Sequence, residues 1–135
     1  MKRVIVIDGG NFCDIEGFYC EIDNLLTKGL KWKTGHNMAA FNDILAGGFG
    51  VHELGEAITI VWKNFSKSRR DFGYEATVNY YEQMLAKCHP ANRTIVQERI
   101  SDAKNRTGLT LLDIIVETIL NKDNSGHDCS LEIIE

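Results

Sequence analysis

The chain has 135 residues, enough for one compact core rather than clearly for two. Its 44% apolar and 25% charged content is that of an ordinary globular protein, and no run of about 18 apolar residues is present to span a membrane. The net charge of −4 is unevenly spread: acids outnumber bases in residues 1–62 and 109–135, and bases outnumber acids in 63–108. With acids mixed into the basic stretch, direct nucleic-acid binding is not expected.

The start, MKRVIVIDGG, holds too short an apolar run for a signal peptide and predicts a first strand over Val4–Ile7. A continuous apolar run of this kind suits a strand buried on both faces of a parallel sheet. Asp8, before Gly9-Gly10, is expected to be a turn residue, although α/β enzymes often place a catalytic carboxylate there. Ile15, Phe18, Tyr19, Ile22, Leu25 and Leu26 follow the i, i+3, i+4, i+7 rule of an amphipathic helix, closed by Gly29. Asn37 is a suitable N-cap for a second helix, and Gly47-Gly48 a suitable end. Met38, Phe41, Ile44 and Leu45 fall on one side of that helix, and Ala39, Asn42, Asp43 and Ala46 on the other.

ITIVW (Ile58–Trp62) predicts a second buried strand, and SKSRRDFG a turn or short helix. Val78, Tyr81, Leu85 and Cys88 are the expected inner face of a third amphipathic helix. Val96, Ile100 and Ala103 are that of a more polar one from about Pro90 to Asn105. Thr110 and Asp113 resemble a capping pair opening an apolar helix through Leu111, Leu112, Ile115, Val116 and Ile119. NKDNSGHD reads as a loop and CSLEII as a last strand. The order implies an α/β fold, a small three-stranded parallel sheet packed with helices.

Little in the sequence assembles chemistry. The glycine-rich pieces lack phosphate-loop spacing, no serine or cysteine sits in a nucleophile elbow, and the His, Cys and acidic residues have no metal-ligand spacing. No cofactor or metal is expected, and no enzymatic activity. Cys13, Cys20, Cys88 and Cys129 are expected to be free thiols buried as small apolar side chains in a cytoplasmic protein. Asp43 differs: a carboxylate among short side chains leaves room for a partner and can accept charge-assisted hydrogen bonds from its Arg or Lys.

VIVIDGGNF, then Gly35, Asn37, Asp43, Leu45 and Gly47 in the pattern Gly-x-Asn-x-x-x-x-x-Asp-x-Leu-x-Gly, then ITIVW and a final apolar helix and strand, resemble the barstar family of barnase-type ribonuclease inhibitors. The resemblance covers most of the chain and implies a single barstar-like domain over 1–135. The segment 74–107 stands outside it as an inserted helical piece. The resemblance further implies an intracellular inhibitor or immunity protein that blocks a basic ribonuclease or toxin nuclease domain with its second helix and the loop before it. Asp43 would take the place of a substrate phosphate. Lys33, Gly35 and His36 from the loop, and Ala39, Asn42 and Ala46 from the helix, would surround that contact, with Glu117 supplying an acid from the late helix. The chain departs from the family at Ala39, where an acid is usual, at Asn42, where an aromatic is usual, and at Lys33 and Thr34, where tyrosines are usual. These departures favour, as the alternative, an interaction module that keeps the fold and binds a partner other than a ribonuclease.

Overall fold

In the computed structural model, residues 3–27, 36–46, 56–120 and 128–135 are described. Three strands, β1 (Arg3–Asp8), β2 (Ala57–Lys63) and β3 (Asp128–Ile133), form one parallel sheet in the order β1-β2-β3. Six α-helices are described: α1 (Ile15–Leu26), α2 (Met38–Ala46), α3 (Phe65–Asp71), α4 (Tyr74–Lys87), α5 (Arg93–Lys104) and α6 (Leu111–Leu120). The expected α/β architecture is therefore present. SKSRRDFG is a short helix, and the expected helix ends at Gly29 and Gly47-Gly48 and most of the 121–128 loop lie outside the described residues.

The sheet buries one face rather than two. Ile5, Ile7, Ile58, Ile60, Trp62 and Cys129 point into the core, while Val4 and Val6 on the opposite face are 57% and 40% exposed. The alternation of β2, with every second residue buried, has the period of a half-buried strand. An apolar run such as VIVI satisfies either arrangement, because valine is tolerated on an open sheet face.

The core joins this face to the buried sides of α1, α2 and α6. Phe18 stacks on Trp62 at 5.6 Å between ring centroids, and Phe41 meets Phe18 edge-on at 5.2 Å, which ties α2 to the centre. Phe12 stacks on Phe72 at 5.9 Å. Trp62 is fully buried, and its indole N–H donates to the buried Ser68 hydroxyl at 3.0 Å. A Cβ on Gly9 would lie 2.5 Å from that same hydroxyl oxygen and 2.8 Å from the Asn64 carbonyl oxygen, so the approach of α3 to the β1 turn requires glycine there.

The expected caps form. Thr110 and Asp113 exchange backbone-to-side-chain hydrogen bonds at 2.9 and 3.2 Å ahead of α6. The inner face of α4 differs from expectation. Thr77 is fully buried, and Ala76 and Tyr80 pack against the core, whereas Val78, Tyr81 and Leu85 are half-buried on the helix that packs against α5. The Thr77 hydroxyl donates to the Gly73 carbonyl at 2.8 Å and accepts from Leu111 N–H at 2.7 Å. A polar residue at a core position was hidden from apolar periodicity, because its partner lies far along the chain. On α5, Val96 and Ala103 are buried as expected.

The cysteines also depart from expectation. All four are free thiols, but only Cys129 is buried; Cys13 and Cys20 are exposed and Cys88 is intermediate.

Candidate partner-binding site

Helix α2 starts where the sequence places its cap: Asn37 Oδ1 accepts from Ala40 N–H at 2.8 Å, and the Asn37 carbonyl accepts from Phe41 N–H at 3.0 Å. Phe41, Ile44 and Leu45 are buried, which fixes the helix rotation. Ala39 and Asp43 are consequently exposed, one turn apart, with Asn42 half-buried beside them. Ala46, expected on the same outward face, is only 8% exposed and belongs to the inner side. No hydrogen bond or ion pair joins the Asp43 side chain to another described residue. Its carboxylate stands in solvent next to a methyl group.

Helix α2 packs against α6 and α1 and touches β3. Glu117 is exposed on α6, so it and Asp43 occupy neighbouring helices. Lys33 and Gly35 lie outside the described residues.

His36, immediately before the cap, behaves differently from a loop residue waiting for a partner. Its Nδ1 lies 2.8 Å from Glu16 Oε2 and its Nε2 lies 2.8 Å from Asp23 Oδ2, both on α1. Its ring is 5.5 Å from that of Tyr19, between the two acids in sequence. The hydrogen bonds to Glu16, then to Asp23, hold the imidazole pKa above its ordinary value. The carboxylates take opposite ring nitrogens, so the three groups do not converge on one point, and no metal-binding cluster occurs among the described residues.

Beside this contact, a cleft of about 270 Å³ opens between α1, the first turn of α2, and α4. Tyr19, Met38, Tyr80 and Met84 give it an apolar floor, and Glu16, His36 and Lys87 give it charge. Burial pushes the phenols of Tyr19 and Tyr80 above their ordinary range, so they stay neutral.

Asp8 is bound as a turn residue. Its Oδ1 accepts from Asn64 Nδ2 at 2.7 Å and from Gly10 N–H at 2.8 Å. The Asn64 contact first, and the Gly10 amide second, lower its carboxyl pKa. A carboxylate so engaged is a poor proton carrier near neutrality.

The family model described as "Barstar (barnase inhibitor)" matches residues 2–111. The chain belongs to the barstar family. The match runs from β1 through α2 and β2 and includes the 74–107 segment, where α4 and α5 lie. A search of curated proteins finds no match. The sequence pattern that carries the family resemblance, Asn37, Asp43 and Leu45, thus corresponds to the cap, the exposed acid and the buried anchor of α2. Sequence reasoning placed His36 in the partner-facing set but missed its tie to α1. Glu16 and Asp23, seven residues apart on one helix face, were the only local hint.

No described helix is long and apolar enough to cross a membrane.

Proposed function

We propose that this barstar-family chain is a cytoplasmic inhibitor, or immunity protein, of a basic ribonuclease or toxin nuclease domain. It presents α2 and the segment before it to the enzyme's active site, with Asp43 where a substrate phosphate would stand. The observation that carries the reading is Asp43 itself, exposed on a helix whose other side is locked into the core. A basic cleft supplies Arg and Lys donors to such a carboxylate, and desolvation on docking strengthens those bonds. Ala39 and Asn42 leave room for the approach, and Glu117 adds acid on the adjacent helix. Free thiols fit a reducing compartment.

The test is inhibition of a panel of barnase-like ribonucleases by wild type and Asp43→Ala. Wild type is expected to inhibit at least one. The variant is expected to lose at least about 2 kcal/mol, roughly 30-fold, the general threshold for an interface hot spot, of which barnase–barstar pairs are themselves a standard example. Equal inhibition by both proteins removes Asp43 from the interface.

The second reading, a module that binds a non-nuclease partner, is favoured by Ala39: α2 offers one acid on its exposed face where inhibitors of the family offer two. Affinity capture from the native host separates them, since recovery of a nuclease supports inhibition and reproducible recovery of another protein, competed by α2 variants, supports the module.

A further inference from the structure

His36 occupies the junction between the segment preceding α2 and the helix cap, and its two ring nitrogens are both committed. A neutral imidazole has one N–H and one lone pair, so it donates to only one carboxylate, and its bare nitrogen would face the other carboxylate lone pair to lone pair. Contacts of 2.8 Å at both nitrogens are satisfied together only by the imidazolium, and they have the length of charge-assisted hydrogen bonds. Glu16 and Asp23 stand two turns apart on one face of α1, a spacing that the ring spans. The Tyr19 ring, tilted 34° and 5.5 Å away, adds an aromatic face near the cation.

Among the described residues, the titratable groups of other elements that line the same cleft as His36 are Tyr80, Lys87 and Cys88 of α4. The Lys87 ammonium and the positive end of the α2 dipole oppose the charge on His36. Two carboxylates in direct contact outweigh them, because charge interactions fall with distance and the dipole carries only about half a charge. Burial also opposes protonation, but the ring is only partly covered and remains near solvent.

We propose that His36 is a positioning residue: as an imidazolium bridging Glu16 and Asp23, it clamps the N-terminus of α2 onto α1 and so sets how the Asp43 face is presented. Loss of the proton breaks at least one of the two bonds and loosens the first turn of α2, while Phe41 and Leu45 keep the rest of the helix seated. Presentation of the contact helix is therefore pH-dependent. This rests on α2 being the contact helix, but the clamp itself is testable without any nuclease.

The experiment is performed on the full chain. Long-range proton–nitrogen NMR of labelled histidines follows His36 from about pH 5 to about pH 9, with His36→Gln identifying its signals. Both nitrogens are expected to be protonated at neutral pH, with a midpoint above the ordinary value of about 6.5 that falls in Asp23→Asn. Hydrogen exchange of the amides of Met38–Ala46, corrected for intrinsic rate, is expected to lose about tenfold protection in His36→Gln, and in wild type as His36 titrates, while α6 stays unchanged. A midpoint at or below the ordinary histidine value overturns the clamp. Unchanged α2 protection in His36→Gln, despite a raised midpoint, overturns the positioning role and leaves an ion pair only. Neither result depends on Asp43, whose own assay decides the inhibitor reading.

Discussion

Asp43, Ser68 and His36 represent three ways a polar side chain is used in this protein. The exposed Asp43 side chain makes no hydrogen bond or ion pair to another described residue, so Asp43→Ala should move stability by less than about 0.5 kcal/mol, as at other surface positions. Thermal melts of the two proteins check this, and the comparison separates a binding loss from a folding loss. Ser68 is fully buried and holds the Trp62 indole N–H. Ser68→Ala strands that donor and should cost about 1–3 kcal/mol in denaturant melts at unchanged slope. His36 has a raised pKa in the folded protein, so its stabilisation is full below its unfolded value of about 6.5 and is lost as pH rises through the folded one. The melting-temperature difference between wild type and His36→Gln should therefore be largest in mild acid and shrink on the alkaline side. Asp8 runs the other way: its lowered pKa contributes above the unfolded carboxyl value and is lost as acid protonates it.

Among the elements, α2 and α6 were the most legible in the sequence. Each announces its start by a cap within four residues and its rotation by a 3.6-residue stripe, and both signals are local. The strands were legible in position but not in environment. VIVI fixes extended backbone and leaves open which face is covered; the partners that cover one face come from α1, α2 and α6, distant in sequence. The same holds for α4. Its apolar residues suggested a face through Val78 and Tyr81, whereas the attachment to the core runs through Ala76, Tyr80 and the buried Thr77, which accepts from Leu111 N–H. Thr77→Val keeps the shape and removes the acceptor, and should destabilise by about 1–3 kcal/mol. Hydrogen exchange should show the loss first at the start of α6.

At the scale of the whole molecule, one aromatic assembly joins sheet and helices: Phe12, Phe18, Phe41, Trp62 and Phe72 come from the β1 turn, α1, α2, β2 and the end of α3. Phe18 contacts all of the others and is fully buried. Phe18→Ala should cost about 3–5 kcal/mol in denaturant melts, a large part of the stability of a domain this size. At this scale the candidate site was legible only in part. The acid on a small-residue face was visible as a pattern, and the family resemblance suggested a role for it that the inhibition assay tests. The clamp behind it was not visible, because His36 meets Glu16 and Asp23 at separations of 20 and 13 residues, beyond the reach of helical periodicity.

Trp62 sits sealed in this assembly, hydrogen-bonded and stacked. Its fluorescence should therefore report the state of the core: emission at short wavelength when folded, shifting to the red as the core opens. Replacing Trp32, the chain's second tryptophan, by phenylalanine would leave Trp62 as a single intrinsic probe. The protein thus carries an optical readout at the meeting point of its sheet and helices, and rapid-mixing experiments on that variant could time the closure of the core without any added dye.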